Sequence, residues 1–196
     1  AVTVALLAAL PVFLVLFAVR EWFGSIPYII LAAIHFKSTF AVKCMKKYTA
    51  PIAQALKDGD LDKARKLLPY IVRRDPNTLN ERQIISAAVE SIAESTTDGI
   101  TAPFFFFALF GVPGAFAYRV VNTLDSMVGY KNKEFKDIGW FSAKMDTLVN
   151  YVPARLTAVL MVVAAGLLRE NASESLRILK RDKANTASTN AGWTIG

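Results

Sequence analysis

The sequence predicts an all-α, polytopic membrane helical bundle with a cytoplasmic helical hairpin and a re-entrant hairpin. Three observations lead to this fold class. First, 54% of the 196 residues are hydrophobic, above the 45–50% of an average soluble domain. Second, residues 1–19 form an unbroken apolar run close to the length of a membrane span. Third, the apolar residues 102–110 stop at Gly111-Val-Pro-Gly114, too early to cross a bilayer. The length allows one domain, residues 1–196.

Two apolar segments open the chain. Residues 1–19 predict a transmembrane helix, in which Pro11 is tolerated as a kink. The core of a signal peptide is the alternative, which the length of the run disfavours. Residues 26–40 form a second, shorter apolar segment that carries the only histidine, His35. We expect His35 to be packed or interfacial.

Residues 37–82 form a basic, soluble-looking region with eleven Lys and Arg against five Asp and Glu. By the positive-inside rule this region is cytoplasmic. Residues 50–57 and 61–72 read as two short amphipathic helices, and Asp58-Gly59-Asp60 between them suits a helix end followed by an N-cap. The region is therefore predicted to be a helical hairpin.

Residues 83–151 are predicted to hold the active site. A capping box at Thr78-Leu-Asn-Glu81 starts a helix that should end near Asp98-Gly99. Glu90, Glu94 and Asp98 share one face of it, directly before the apolar block. Carboxylates beside a membrane-grade segment are functional candidates. A solvated acidic face is the alternative, which the apolar surroundings weaken.

Residues 100–117 are apolar but broken at residues 111–114, so a re-entrant hairpin is predicted, with both flanking polar segments on one side. The following helix, residues 115–127, aligns Tyr118, Asn122 and Asp125 on one stripe. A further helix, residues 139–151, places Asp146 and Asn150 four residues apart.

The end of the chain is less clearly assigned by its sequence. Residues 153–168 are apolar and either span the membrane or are buried without crossing, and the basic residues 169–183 argue against a span. Residues 184–196 are predicted to be a loop.

The chemistry available to the chain is that of oxygen and nitrogen side chains. There is no P-loop, dinucleotide fingerprint or HExxH motif. The only histidine lies inside a predicted membrane helix, which argues against a Ser-His-Asp triad. The net charge of +7 suits anionic lipids or substrates, and no nucleic-acid motif accompanies it. Hard oxygen ligands for Mg²⁺ are plentiful, and the cationic candidates for phosphate include Arg119, Lys131 and Arg155.

Three segments carry a resemblance to a known family. They are ESIAESTTDGITAPFFFFALFG at residues 90–111, YRVVNTLDSMVGYKN at residues 118–132, and the run from Asp137-Ile-Gly-Trp140 to Pro153-Ala-Arg155. On these motifs the chain resembles the CobD/CbiB family of cobalamin biosynthesis proteins, the adenosylcobinamide-phosphate synthases. The resemblance covers about residues 55–193 and implies that parts of both family termini are missing.

The resemblance implies a multi-pass enzyme of the cytoplasmic membrane, with its active site facing the cytoplasm. It implies ATP- and Mg²⁺-dependent amide ligation of aminopropanol, or its O-phosphate, to adenosylcobyric acid, giving adenosylcobinamide (phosphate). The implied partners are these substrates and the lipid bilayer, without nucleic acid. A homo-oligomer, or a complex with other membrane enzymes of the corrin pathway, is a further expectation.

With that reaction, Glu90, Glu94 and Asp98 are predicted to hold Mg²⁺, one of them acting as a base toward the amine. Asp125 is predicted to complete the catalytic group. The predicted substrate-binding residues are Arg119, Asn122, Lys131, Asp146, Asn150 and Arg155.

Two other readings stay open at this point. One is a non-catalytic AmpE-like membrane sensor, and the other is a corrinoid- or lipid-binding membrane module. Either would lack ATP turnover, and the acidic row together with the NTLDSMVGYKN block favours the enzyme.

Overall fold

The computed structural model describes residues 2–72, 75–128, 136–186 and 188–195. Within these ranges the chain is helical and contains no strand, which confirms the predicted fold class. Three segments are long and apolar enough to cross a membrane: 3–23, 25–57 and 81–127. A fourth would be the pair 139–149 and 151–167, bent by 45° between them, if the two form one span. The α-helices are α1 (Val2–Phe23), α2 (Ser25–Thr39), α3 (Val42–Lys57), α4 (Leu61–Leu67), α5 (Glu81–Thr96), α6 (Ala102–Val128), α7 (Lys136–Val149), α8 (Tyr151–Leu167), α9 (Ala172–Asp182) and α10 (Gly192–Ile195).

Helices α1 and α2 present apolar side chains to their surroundings. Leu7 is 66% exposed and Ile26 is 74% exposed. Such continuous apolar faces are rare on soluble monomers and fit contact with lipid. The opposite side of α1 packs through Val12 and Leu16 against Val112 of α6, so the helix pair supports the site-bearing part of the chain.

The basic hairpin comprises α3, α4 and the 3₁₀ turn Leu68–Tyr70. Its core joins Ile52 and Leu68 to Ile84 of α5, and each of these side chains is at most 1% exposed. Asp60 caps α4 by accepting a 2.9 Å hydrogen bond from the Lys63 amide. The predicted hairpin is thus confirmed, although its first helix begins at Val42 rather than at residue 50.

The predicted start of α5 is wrong by two residues. Asn80 is the N-cap, and its side chain and that of Gln83 form the capping box. The predicted cap, Thr78, lies instead in a 3₁₀ turn, Pro76–Thr78, whose N-cap is Asp75. Because Thr78 is the last residue of that turn, α5 begins only after it.

The predicted helix end at Asp98-Gly99 is also wrong. Helix α5 continues through a π-helical turn, Thr97–Thr101, directly into α6. The carbonyl of Gly99 in this turn accepts a 3.0 Å hydrogen bond from the amide of Ala41. A π turn is rare and frequently marks a functional site, and this one carries Asp98.

Helix α6 reverses direction at Gly111, which has φ 67° and ψ −161°. The rings of Phe106 and Tyr118 stack with centroids 5.1 Å apart, whereas twelve residues of straight helix would separate them by about 18 Å. A Cβ on Gly114 would lie 2.9 Å from the carbonyl oxygen of Phe106. The predicted hairpin is therefore present as a helical hairpin, and its re-entry into a bilayer stays a prediction.

Helices α8 and α9 form a second helical hairpin, after the one in α6. The Arg155 guanidinium, in the first turn of α8, lies 4.8 Å from the ring of Trp193. The chain that leaves along α8 has therefore come back by Trp193. Residues 184–196 were predicted to be a loop, but they include α10.

We expect Gly114→Ala to lower the free energy of unfolding by about 1–3 kcal/mol, because the new methyl group meets the Phe106 backbone. The control is Gly166→Ala within α8, where the added Cβ makes an ordinary 3.6 Å contact with Ala172. It should be neutral or stabilising by about 0.5–1 kcal/mol. Unfolding in detergent micelles measures both, and equal effects would contradict the close approach of the two arms.

Helix α9 has 11 residues, too few to cross a bilayer. Because the chain nevertheless returns to the start of α8 by Trp193, we predict that α8 does not cross and that Ser173 lies on the same side of the membrane as Cys44. Cys44 is exposed, and Ser173→Cys would be made in a Cys44→Ser background. An impermeant maleimide applied to sealed, oriented vesicles should label both single-cysteine proteins from one side. Labelling from opposite sides would mean that α8 crosses.

Candidate functional site

An acidic cavity of about 470 Å³ lies where α5, the π turn, α6, α7 and α8 meet the C-terminal residues 188–194. Four carboxylates line it, and among its described lining residues there is no Lys, Arg or His. They are Glu94, Asp98, Asp125 and Asp146. The cavity is thus a concave site of strongly negative character.

A hydrogen-bonded network holds one wall of the acidic cavity. Asp146 accepts from the Asn122 amide at 3.2 Å and from the Asn150 amide at 3.0 Å. The Tyr118 hydroxyl donates to Asn150 Oδ1 at 2.9 Å, and the Asn122 side chain also interacts with the Asp98 carboxylate. Because both amides are buried, the network fixes the carboxylates rigidly.

The network follows from helical spacing on two elements. Tyr118 and Asn122 are four residues apart on the second arm of α6, and Asp146 and Asn150 are four residues apart at the end of α7. Residues at this spacing share a helix face. The reversal at Gly111 then brings the α6 pair back beside Asp98 in the π turn.

The gathering of carboxylates is electrostatically costly. Asp98 is repelled by both Asp146 and Glu94, and burial of carboxylates disfavours their charged form. Arg119 opposes this repulsion, and its guanidinium donates to Asn122 Oδ1 at 3.1 Å. Such a cluster favours binding of a proton or a positively charged ligand.

A second cavity of about 310 Å³, the arginine cavity, lies behind the same wall. Asp98 and Ser126 line both cavities. The arginine cavity is also lined by Arg119 and by Tyr48 and Tyr70, whose rings stack at 5.7 Å. A guanidinium beside aromatic rings suits an anionic or flat ligand.

Most of the predicted site residues meet at this wall. Glu94, Asp98, Asp125, Asp146 and Asn150 line the acidic cavity, and Asn122 links it to the arginine cavity. This shared location makes them one candidate site.

Two predicted residues lie apart from this group, and a third cannot be placed. Glu90 sits one turn before Glu94, partly buried, and is not among the residues that line the acidic cavity. The Arg155 guanidinium lies 3.4 Å from the ring of Tyr151 and 4.8 Å from that of Trp193. Lys131 lies outside the described residues.

The predicted Mg²⁺ ligands do not converge in the described part of the chain. Within it, no group of three His, Cys, Asp or Glu side chains is placed to hold a metal ion. A row from Glu90 to Asp98 extends about 12 Å along a helix, whereas Mg²⁺ binds oxygen at about 2.0–2.1 Å. Glu94 and Asp98 match the one or two carboxylates that Mg²⁺ takes alongside substrate phosphates, so Mg²⁺ stays a prediction.

Several residues of the candidate site were missed by the sequence reasoning. Tyr118 was placed on the correct stripe but outside the site. The C-terminal wall, which includes Ser188, Asn190 and Thr194, was treated as a loop. Its signal was the Asn190-Ala-Gly-Trp193 string, which belongs to the part of the chain with the family resemblance.

Comparisons with known proteins agree on one family. The model of the CobD/CbiB protein family matches residues 1–196. A probable cobalamin biosynthesis protein CobD of Methanothermobacter thermautotrophicus is 46% identical over 85% of this chain and 56% of its own length. The Clostridium perfringens cobalamin biosynthesis protein CobD is 49% identical over 77% of this chain and 48% of its own.

A further relative matches along the whole chain. The probable CobD protein of Thermoplasma acidophilum is 40% identical over 100% of this chain and 63% of its own length. The chain thus spans between about half and two thirds of the length of these curated relatives. No solved structure is significantly similar to it.

The network predicts energetic coupling between Tyr118 and Asn150. Tyr118→Phe should lower the free energy of unfolding by about 1 kcal/mol, and Asn150→Ala by about 1–3 kcal/mol, since it leaves Tyr118 and Asp146 short of a partner. The double variant should lose less than the sum, by at least about 0.5 kcal/mol. Tyr70→Phe, on an exposed ring, should instead add to Asn150→Ala. Additive losses for Tyr118 and Asn150 would contradict the network.

Proposed function

Because the chain belongs to the CobD/CbiB family, we propose that it is an amide-forming ligase of cobalamin biosynthesis. The reaction joins aminopropanol, or its O-phosphate, to the carboxyl group of adenosylcobyric acid and depends on ATP. The single observation that carries this proposal is the wall of Asp98, Asn122 and Asp146 between an acidic cavity and an arginine cavity. It offers a place for a cationic amine beside a place for an anionic group.

The amine must lose a proton before it can attack a carbonyl carbon. Asp98 is the best-placed acceptor, because it lines both cavities and interacts with the Asn122 side chain. A positioned base of this kind contributes about 10²–10⁴-fold to a rate. Asp146, which already accepts two amide hydrogen bonds, serves instead to hold the amides in place.

The corrin carboxylate must be activated. ATP would supply the phosphoryl group for this, with Mg²⁺ neutralising its phosphates. Arg119, fixed through Asn122, would hold a phosphate in the arginine cavity, and Lys131 stays a predicted second contact. The wall would then keep donor and acceptor side by side, which by itself lowers the barrier.

The candidate spans 3–23, 25–57 and 81–127 fit a membrane protein. We place the enzyme in the cytoplasmic membrane, with the basic hairpin and both cavities facing the cytoplasm, by the positive-inside rule. An oligomer or a complex with other corrin-pathway enzymes stays a prediction.

Asp98→Asn and Asp125→Asn should each lower ATP-dependent amide formation, Asp98→Asn by about 10²-fold or more, because an amide cannot accept the proton. The control is Asp62→Asn, on a side chain that is 85% exposed in the basic hairpin and should keep wild-type rates. Product formation from adenosylcobyric acid with the purified, folded protein measures all three. Wild-type rates in both site variants would refute the site, and corrinoid binding without ATP turnover would favour a binding module.

A further inference from the structure

The residues that run from the end of α2 to the end of α3 carry positive charge and no negative charge. Residues 37–57 contain five Lys and no Arg, Asp or Glu. The five are Lys37, Lys43, Lys46, Lys47 and Lys57. Within the described part of the chain, none of them belongs to an ion pair. Their charge is therefore available to a partner outside these residues.

The lysines of α3 lie on one face of the helix. Positions 43, 46, 47 and 57 fall within an arc of about 100° at 3.6 residues per turn, and all four residues are exposed. The opposite face carries Ile52 and Ala55, which are 1% and 0% exposed and belong to the core of the basic hairpin. Because the core uses the other face, the lysines contribute nothing to the packing of the hairpin.

The packing of α2 and α3 shows which way the lysine face runs. Phe36 of α2 packs on the first, apolar arm of α6, with its ring 5.0 Å from that of Phe104 and 4.0 Å from that of Phe107. Ile52 of α3 instead shares a core with Ile84 of α5. Helix α3 thus lies beside α5 and leads away from the apolar layer in which α2 and the first arm of α6 lie.

Lys37 ends the apolar side of α2. Ile30 and Ile34 on this side are 57% and 62% exposed, which fits contact with lipid. Lys37 follows Ile34 by three residues and therefore shares its face. Its ammonium group lies 5.2 Å from the ring of Phe40. A lysine that directly follows a lipid-facing stripe extends its charge to the level of the lipid headgroups.

The first lysines of α3 lie close to the same level. Lys43, Lys46 and Lys47 are within roughly 8 Å of the start of α3 along its axis, and the headgroup layer is about 5–8 Å thick on each side of a bilayer. Lys57 lies about 21 Å from Lys43, more than two Debye lengths at physiological salt. We call Lys37, Lys43, Lys46 and Lys47 the lysine cluster.

We propose that the lysine cluster binds the headgroups of anionic phospholipids. Clusters of four or more basic residues directly after a membrane helix attract anionic lipids, and here the cluster is continuous with the lipid-facing side of α2. One lipid molecule can therefore place its headgroup on the lysines and its acyl chains on Ile30 and Ile34. An acidic protein would match the charge but not this apolar continuation. The proposal does not depend on the ligase reaction.

The test is displacement of a fluorescent phosphatidylglycerol from the purified chain in neutral detergent micelles. Unlabelled phosphatidylglycerol should displace it at least about tenfold better than phosphatidylcholine, since each lysine near an anionic surface contributes roughly fivefold to binding. This preference should weaken in about 1 M NaCl, where the Debye length falls to about 3 Å. Equal displacement by the two lipids would overturn the proposal. So would displacement by glycerol phosphate, because the site would then recognise a soluble phosphate.

Two variants with the same loss of charge separate the lysine cluster from general electrostatic attraction. The cluster variant combines Lys43→Gln, Lys46→Gln and Lys47→Gln. The control variant combines Lys57→Gln, Lys63→Gln and Lys66→Gln, at exposed residues in the last turn of α3 and in α4. The cluster variant should lose at least about tenfold in affinity for phosphatidylglycerol, and the control less than about twofold. Equal losses, or an unchanged cluster variant, would overturn the proposal.

Thermal unfolding gives a second readout, because a ligand that binds only the folded chain stabilises it. Between Lys37 and Lys43, the Ala41 amide donates to the Gly99 carbonyl of the π turn, so lipid bound at the cluster supports a contact of the folded chain. Phosphatidylglycerol should raise the unfolding temperature of the wild type and of the control variant, but not that of the cluster variant. An equal rise in all three would contradict binding at the cluster.

Discussion

The candidate site depends on the hydrogen bonds that the side-chain amides of Asn122 and Asn150 donate to the carboxylate of Asp146. This carboxylate ties the second arm of α6 to the end of α7, and through Asn122 it reaches Asp98 in the π turn. A buried carboxylate is tolerated when hydrogen bonds replace its lost water. Both amides replace water around the buried carboxylate in this way. The same hydrogen bonds therefore connect the helices and line the candidate site.

Charged side chains are distributed unequally between the two cavities. Four carboxylates line the acidic cavity, whereas the arginine cavity is lined by Arg119 and by Asp98, which the two cavities share. Asn122 hydrogen-bonds both Arg119 and Asp146. In a medium of low dielectric constant, such separation creates a strong local field. A molecule that carries an amine and a phosphate would be oriented by that field before any specific contact forms.

The sequence predicted much of the fold and most of the residues that come together in the candidate site, and its failures have identifiable causes. Helical spacing placed Asp146 and Asn150 on one face. Gly111 correctly marked the reversal of α6, because the reversal needs a positive φ and glycine adopts one without strain. Gly99 misled, because a glycine after an aspartate commonly ends a helix. Here a hydrogen bond from Ala41 supports a π turn instead, and such a long-range contact has no local signature.

The C-terminal wall was missed for a related reason. Helix α10 has four residues, too few to be stable alone, so its order comes from the stacking of Arg155 and Lys183 on Trp193. The segment is also tied to α7 by the Asn190 amide, which donates to the Thr147 carbonyl at 2.8 Å. The acidic cavity therefore has one wall whose order is set by contacts with Thr147, Arg155 and Lys183, each on a different helix or helix end, and not by the helical propensity of its own four residues.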